Sequence, residues 1–461
     1  MNIGFVVDHP KRDLNGAIRV AHAFAQRGAS TYLIPLYDQG VDVPLLNLDV
    51  LIVNYARPIN LDLVRGYVDT GLPVFVLDTE GGILSEEGAN SPAGLSRYIA
   101  ESGYRELLAG YFFWGSLLRD AFIASGAMPI NRLHITGCPR FDFASPRWEA
   151  TLGFPRHGYV LVNANFPLVN PRFASSADEE SLGLVKGGWS ADYVVQMLAD
   201  QRQILSAYLD AVYAIAKAFP ERDFLIRPHP FENSGIYDKK FADLQNVAVD
   251  GAGNVLNVIR HSSCVIHLNC GTAIEAIMLQ RVPISMEFLN TPHMANHSTL
   301  PSKISLKAVS QEALHAIVAD IATAEKTFDF QGKYRAFIHP YFHENDGSAG
   351  DRVVEVVLGQ LAPRQKPGMF AQVRSSLRSS RLHSRLGQRF QAVLANLLGS
   401  AATARLRALR QRKRRDKFIS IDMVRLLLEQ LAQHDGCPAA KVCQARHPIT
   451  GLPLSSLRIS P

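Results

Sequence analysis

The chain has 461 residues, of which 47% are hydrophobic and 20% charged, a composition typical of a multidomain globular protein and not of a disordered or fibrous one. Its five cysteines are odd in number and lack the CxxC spacing of zinc and redox sites, which favours a reducing compartment. No run of 18 apolar residues and no signal-peptide pattern occurs, so we expect neither a membrane-spanning helix nor export.

The formal net charge of +6 is unevenly distributed along the chain. Residues 364–418 contain 15 Lys/Arg and one acidic residue, Asp416, whereas residues 1–363 have a net charge of −9. An acidic body is therefore predicted to carry a basic tail.

Short apolar runs alternate with helix-length segments from the start of the chain, which predicts a parallel sheet in an N-terminal domain, residues 1–150. The expected strands are 3–7, 31–35, 50–54, 74–77, 111–114 and 133–136, with helices at 17–27 and 61–70.

A second series of runs predicts another Rossmann-like domain over residues 151–363. Its expected strands are 159–164, 224–227, 247–249, 264–268 and 282–285, with helices at 198–219, 254–260 and 273–279. The fold class is thus α/β, with two Rossmann-like domains that we expect to face each other across a cleft.

Residues 364–461 are predicted to form a basic, helical and partly disordered tail. Arginines at three- or four-residue spacing from Arg374 to Arg389 lie beside an apolar stripe, as in a basic amphipathic helix. Such a helix suits an anionic membrane surface, through residues 374–417, or packing on the acidic body. The tail has few aromatic residues and no recognisable nucleic-acid-binding module, so no nucleic-acid partner is expected.

The segment Arg227-Pro228-His229-Pro230 ends a predicted strand of the second domain. The two prolines restrict the backbone around His229, and an Arg beside a fixed His suits a phosphate group. The alternative is a turn-capping histidine and an arginine paired with an acid such as Glu232.

The segment Asn269-Cys270-Gly271-Thr272 joins another strand to a helix. Free N–H groups of Gly271, Thr272 and Ala273 would make an anion site, and Glu275, one turn further on, could hold ribose hydroxyls. The alternative is an ordinary capped core helix. We interpret Cys270 as a small packing residue and His267 as a core histidine.

In the first domain, Asp78 and Glu80 follow a strand, and Gly81 would allow close approach of a substrate. Either carboxylate could accept a proton from an acceptor hydroxyl, or the two could belong to an ordinary surface turn. His339 and His343 have a zinc-like spacing, but Pro340 between them argues against zinc, and no metal is expected.

Taken together, these segments resemble bacterial GT-B glycosyltransferases that use CMP-activated sugars, the Kdo and sialic acid transferases, and surface carbohydrate biosynthesis proteins. The Arg227–Pro230 turn resembles their His-Pro motif, and Thr79-Glu80-Gly81 resembles their acidic-acidic-Gly motif with Thr79 in place of the first acid. Residues 137–142, Gly-Cys-Pro-Arg-Phe-Asp, and 346–352, Asp-Gly-Ser-Ala-Gly-Asp-Arg, match two further motifs. The resemblance covers roughly residues 1–360.

The resemblance implies a metal-independent glycosyltransferase without a cofactor, whose partners are a nucleotide-sugar donor and a glycan or lipid-linked acceptor. Glu80 or Asp78 would be the base, with His229 beside the leaving phosphate. The implied donor-binding residues are Asn163, Asn165, Arg227, His229, Pro230, Asn269, Cys270, Gly271, Thr272 and Glu275.

The predicted function is transfer of a sugar, such as Kdo or a related ulosonic acid, to a surface polysaccharide of the capsule or lipopolysaccharide type. The predicted location is cytoplasmic and peripheral on the inner membrane. Alternatives are a CDP-polyol phosphotransferase, a UDP-sugar epimerase and a non-catalytic membrane assembly scaffold.

Overall fold

The computed structural model of the chain describes residues 1–81, 91–172, 185, 190–361, 366–379, 393–410 and 417–461. Contacts divide the chain into two units. Unit 1 comprises Met1–Gly81, Ser96–Asp142 and Asp346–Pro461, and unit 2 comprises Phe143–Asn345 with the segment that ends at Leu95. The sequence predicted domain boundaries near residues 150 and 363. In the structure, unit 2 ends at Asn345, and all later residues belong to unit 1.

Unit 1 contains a sheet with strand order β13-β14-β2-β1-β3-β4-β5-β6. Strands β1 to β6 are parallel, and β13 and β14 are antiparallel additions at the edge beside β2. The bounds are β1 Asn2–Val7, β2 Ser30–Pro35, β3 Val50–Val53, β4 Val74–Leu77, β5 Gly110–Phe113, β6 Leu133–Ile135, β13 Lys441–Arg446 and β14 Pro453–Ser460. Nearly all residues of β1 to β5 are buried, as expected for parallel strands with helices on both faces.

The helices of unit 1 pack around this sheet. They are α1 Pro10–Gln26, α2 Gln39–Leu45, α3 Leu61–Val68, α4 Pro92–Glu101, α5 Tyr104–Leu107, α6 Ser116–Ala124, α17 Ala349–Gln360, α18 Met369–Ser379, α19 Ser400–Arg410 and α20 Ile421–Asp435. The first turn of α4, up to Leu95, is assigned to unit 2. Residues 393–398 are also helical. Helix α1 begins seven residues earlier than predicted, because Pro10 suits a first helical position and the His9 side chain caps the Lys11 amide.

The C-terminal residues form part of the first sheet. The sequence suggested loose order because of several Pro and Ser residues, but Leu454, Leu457 and Ile459 of β14 are buried, and Leu457 pairs with Leu33 of β2. Pro453 starts the strand, where a missing N–H is tolerated. Much of the predicted amphipathic helix, residues 380–392, and the basic run 412–415 lie outside the described residues.

Unit 2 contains a parallel sheet with the order β12-β11-β10-β7-β8-β9. Its strands are β7 Tyr159–Asn163, β8 Phe224–Arg227, β9 Val247–Val249, β10 Ser262–His267, β11 Val282–Ser285 and β12 Leu306–Lys307. Its helices are α7 Ala191–Ala218, α8 Gly235–Lys240, α9 Val255–Arg260, α10 Thr272–Met278, α11 Pro292–His297, α12 Thr299–Ile304, α13 Gln311–Ala319, α14 Ile321–Thr327, α15 Phe330–Lys333 and α16 His339–Phe342.

The α/β class, the two Rossmann-like parallel sheets and the helical C-terminal region are therefore confirmed. Both cores consist of the strand faces and the apolar sides of the helices that cover them. No helix within the described ranges is long and apolar enough to cross a bilayer.

Two motifs from the sequence meet in unit 1 and form a structural clasp. The Asp142 carboxylate accepts the amides of Ala349 and Gly350 at the start of α17, each at 2.9 Å, and lies 3.4 Å from the Arg19 guanidinium. Arg352 donates to the Thr136 carbonyl at 2.8 Å. The clasp attaches α17 to the turn after β6, so both motifs contribute to the fold of this unit.

Candidate functional site

The strand order of unit 2 creates a topological switch point between β7 and β10. After β7 the chain builds β8 and β9 on one side, and then crosses to build β10, β11 and β12 on the other. The connections leave the carboxyl ends of β7 and β10 in opposite directions, which opens a crevice between them. Open α/β sheets bind ligands in crevices of this kind.

The polar residues at these two strand ends contact each other. Asn163 Nδ2 donates to Thr272 Oγ1 at 2.8 Å, and Asn165 Nδ2 donates to the Asn269 carbonyl at 3.0 Å. Asn163 is 3% exposed, and its Oδ1 is buried without a hydrogen-bond partner in the part of the chain that the structure describes. A buried acceptor without a donor is costly, so the site is suited to a ligand that donates a hydrogen bond.

The turn after β10 has an unusual backbone at Asn269, where φ is +48°. Asn tolerates this left-handed conformation better than most residues, and its amide forms a reciprocal pair with the Asn290 amide at 2.7 and 3.3 Å. The Asn269 side chain is thus committed to shaping the turn, and its backbone carbonyl is held by Asn165.

His267 supports the same turn from the core, as expected. It is fully buried, its Nε2 lies 2.8 Å from Ser305 Oγ, and its Nδ1 accepts the Cys270 amide at 3.4 Å. Burial lowers the pKa of His267 to about 4, so the ring is neutral near pH 7.

The remaining predicted residues of this segment are close to the turn. Cys270 is buried, and burial raises the pKa of its thiol to about 11, which fits a packing role. Gly271 is the N-cap of α10, and Glu275 is a buried residue in its first turn. The prediction of three free N–H groups is wrong for Ala273, which donates to the Cys270 carbonyl at 3.1 Å.

The His229 turn follows β8, the neighbour of β7, and is anchored by Glu232. The Glu232 carboxylate accepts the amides of Phe166 and His229, the latter at 3.3 Å, and the Tyr237 hydroxyl at 2.8 Å. It is 3% exposed, and burial raises its pKa to about 7. Glu232 therefore connects the loop after β7 to the turn after β8.

The imidazole of His229 is partly exposed above this anchor, with Pro230 next to it also half-buried. The Phe231 amide donates to His229 Nδ1 at 3.3 Å. Since Nδ1 accepts a hydrogen bond, the neutral ring carries its proton on Nε2. Such an N–H can donate a hydrogen bond to a phosphate oxygen.

Arg227 lies at the end of β8 and is 8% exposed. Its guanidinium donates to the carbonyls of Ala252 at 2.6 Å and Gly253 at 2.7 Å, in the loop after β9. The alternative pairing with Glu232 is not formed. Arg227 therefore fixes a loop at the carboxyl edge, and its contact with a phosphate stays a prediction.

In unit 1 the two predicted carboxylates have different surroundings. Asp78 is 1% exposed and accepts Arg57 Nη1 at 2.8 Å, the Tyr111 hydroxyl at 3.0 Å and the Glu80 amide at 3.0 Å. The Glu80 side chain is 58% exposed and contacts Arg12 Nη1 at 3.2 Å. Glu80 is thus the more accessible of the two carboxylates, while Asp78 holds the loop.

The structural roles of Glu232, Arg12 and Arg57 were not predicted from the sequence. Each acts through a partner more than 20 residues away, and local spacing carries little signal for such contacts. In the described parts of both units, no three His, Cys, Asp or Glu side chains come together as a metal site would require.

No family model matches the sequence, and no curated protein matches it. Solved structures similar to the chain include UDP-GlcNAc 2-epimerase of Methanocaldococcus jannaschii in complex with UDP-GlcNAc and UDP, with 12% identity, coverage of 78% of this chain and 100% of that one, and a TM-score of 0.47. A putative UDP-N-acetylglucosamine 2-epimerase from Listeria monocytogenes has 12% identity, 77% and 95% coverage, and a TM-score of 0.49. The wall teichoic acid polymerase TagF with CDPG has 11% identity, 78% and 89% coverage, and a TM-score of 0.48.

Proposed function

We propose that the protein is a glycosyltransferase that moves a sugar from a nucleotide-activated donor to a hydroxyl group of a surface glycan or lipid-linked acceptor. The observation that carries the proposal is the convergence of Asn163, Asn165 and Thr272 at the switch point of unit 2, with the unpartnered Asn163 Oδ1 among them. A nucleotide brings donors, its ribose hydroxyls, to such an acceptor.

The phosphate of the donor is assigned to the neighbouring turn. The partly exposed His229 ring, with its Nε2–H, follows the strand next to β7, and Glu232 holds the turn in place. The resemblance of the Arg227–Pro230 segment to the motif of CMP-sugar transferases supports cytidine monophosphate as the leaving group and an ulosonic acid such as Kdo as the sugar.

In the reaction, an oxygen of the acceptor hydroxyl attacks the anomeric carbon. The bond from that carbon to the phosphate oxygen breaks, and its electron pair leaves with CMP. The hydroxyl proton passes to the Glu80 carboxylate, and the His229 Nε2–H donates to the departing phosphate. The exposure of Glu80 and the full engagement of Asp78 support this choice of base.

A thermal-shift panel with CMP, CDP, UDP and GDP tests the donor. A ligand at about a hundred times its Kd adds about 2.7 kcal/mol of stability, so CMP should raise Tm and His229→Ala should abolish the effect. Preference for CDP would favour the polyol phosphotransferase, and preference for UDP would favour an epimerase. If no nucleotide raises Tm, the scaffold is favoured and the transferase proposal fails.

Replacing Glu80 by Gln tests the base. The variant should lose at least a hundredfold in turnover while its CMP-induced Tm shift stays unchanged. Turnover like that of the unmodified protein would exclude Glu80 as the base.

We also propose that the protein binds the cytoplasmic face of the inner membrane through its basic C-terminal segment. Phe370 is 82% exposed and Leu397 62% exposed within the region of excess positive charge. Sedimentation with vesicles tests this: binding should require anionic lipid, fall as salt increases, and weaken in Phe370→Ser.

A further inference from the structure

Arg140 belongs to a turn of unit 1 that the proposed chemistry does not use. It follows β6 in the 137–142 segment, two residues before the clasp residue Asp142. Helix α1 packs directly on its backbone, since a Cβ placed on Gly16 would stand 2.8 Å from the Arg140 amide nitrogen. The packing of α1 on one side and the clasp at Asp142 on the other therefore fix the position of Arg140.

The Arg140 guanidinium lies in aromatic surroundings. Its Cζ is 4.6 Å from the centre of the Phe141 ring and 5.3 Å from that of Trp114, and the side chain is only 12% exposed. Rings at these distances hold a guanidinium by cation–π attraction and leave its N–H groups available for other partners.

The hydrogen-bond donors of this guanidinium have no acceptor among the described residues. Its Nε is buried and unpartnered, and its ion pair with Asp13, at 3.8 Å, is longer than a hydrogen bond. Both Asp13 oxygens are already engaged, by Arg12 at 2.8 and 3.1 Å and by the His9 amide at 3.0 Å. Because arginine stays protonated, this charge can be satisfied by an oxyanion and not by loss of a proton.

Arg140 shares its surroundings with the Glu80 loop. Trp114, which follows β5, contacts Arg140 and also lies close to Gly81, since a Cβ placed on Gly81 would stand 3.3 Å from Trp114 Nε1. Glu80, Trp114 and Arg140 therefore follow three adjacent parallel strands, β4, β5 and β6, at the carboxyl edge of the sheet. That edge is where ligands of open α/β sheets bind.

We propose that Arg140 binds an oxyanion of the acceptor, so that the acceptor carries a phosphate or carboxylate near the hydroxyl that is glycosylated. The assignment of this anion to the acceptor rests on the proposed function, whereas the oxyanion site itself rests on the geometry of unit 1. The planar guanidinium can bind either group through two parallel N–H···O bonds. Arg12 neutralises Asp13, so this carboxylate does not repel the incoming anion strongly.

The experiment measures binding of three sugars to the full-length protein by calorimetry: glucose 1-phosphate, glucuronate and glucose. We expect an anionic sugar to bind and glucose not to bind, and the stronger of the two anions identifies the group as phosphate or carboxylate. Arg140→Gln should weaken binding at least tenfold, and Arg140→Lys should weaken it less. The control Arg119→Gln, which removes a partly exposed arginine paired with its neighbour Asp120, should bind normally.

Equal binding by the Arg140→Gln and unmodified proteins, or no binding of either anion, would overturn the proposal. Should Arg140→Gln fail to fold, Arg140→Lys decides the question, because it keeps the positive charge and removes the planar guanidinium with its paired N–H donors. Weaker anion binding by Arg140→Lys supports the proposal, and unchanged binding overturns it. CMP binding is measured in the same samples. If the unmodified protein does not bind CMP, the result counts against the proposed transferase. If Arg140→Gln still binds CMP, its loss of anion binding concerns the acceptor alone.

Discussion

Asp142 and Gly350 are 208 positions apart in the chain, yet the carboxylate of the first accepts the amide of the second at 2.9 Å. The same carboxylate accepts the Ala349 amide and lies beside Arg19, which is 1% exposed. Burial raises the pKa of Asp142 to about 6, and the nearby arginine and the two amides act in the opposite direction. The contact thus combines a helix cap with a buried ion pair.

Replacing Asp142 by Ala should destabilise the protein by about 3–5 kcal/mol, because the buried Arg19 loses a counter-ion and α17 loses its cap. Urea unfolding measures the loss. Arg19→Met combined with Asp142→Leu should cost less than the two single losses added together, since neither Arg19 nor Asp142 then leaves the other buried without its partner. Additive losses would show that the two residues do not interact, and the exposed Asp120→Asn should change little.

Glu232 should make stability depend on pH. Its pKa is about 7 in the folded protein against an ordinary 4.5, so the folded state binds the proton more tightly than the unfolded state does. The contribution of this group is therefore fully present below about pH 4.5 and decreases as the pH rises to about 7, by roughly 3 kcal/mol at about 1.4 kcal/mol per pKa unit.

Glu232→Gln should remove this dependence. The free energy of unfolding of both proteins is measured from pH 5 to 8. As the pH rises, the unmodified protein should lose stability relative to Glu232→Gln. Tyr237→Phe keeps the carboxylate and removes one donor to it, so it should retain the pH dependence. A constant difference between Glu232→Gln and the unmodified protein would contradict the assignment.

Asn163→Ala should weaken binding of the nucleotide by about tenfold, because the unpartnered Oδ1 is the acceptor assigned to the ligand. Thr272→Val removes the partner of Asn163 Nδ2 but leaves Oδ1 in place, so it should have a smaller effect. Calorimetric titration with the nucleotide selected by the thermal-shift panel measures both. An effect of Thr272→Val as large as that of Asn163→Ala would favour a purely structural role for Asn163.

The C-terminal strand should be required for stability of unit 1. Leu457→Asp places a charge on the buried face of β14 and should cost at least about 3 kcal/mol. Arg458→Asp introduces the same side chain at the adjacent exposed position and serves as the matched control. Urea unfolding of the two variants checks this, and equal stabilities would contradict the burial of β14.

The sequence alone predicted the α/β class, most strands to within two residues, and the loops that carry the candidate site. These features depend on local patterns: buried parallel strands appear as short apolar runs, and ligand-binding loops follow their carboxyl ends. For that reason, the sequence by itself identifies Asn163, His229 and Thr272 as candidate site residues.

Only the tertiary structure decided which of these side chains meet and which are already engaged. The contact between Asn163 and Thr272 spans 109 positions, Glu232 reaches Phe166 across 66, and β14 joins β2 from the far end of the chain. Asp78, Arg227 and Glu80 looked alike as polar residues after strands, but burial engages the first two with neighbours and leaves Glu80 exposed. Such differences depend on packing between distant segments, and the spacing of residues along the chain does not encode that packing.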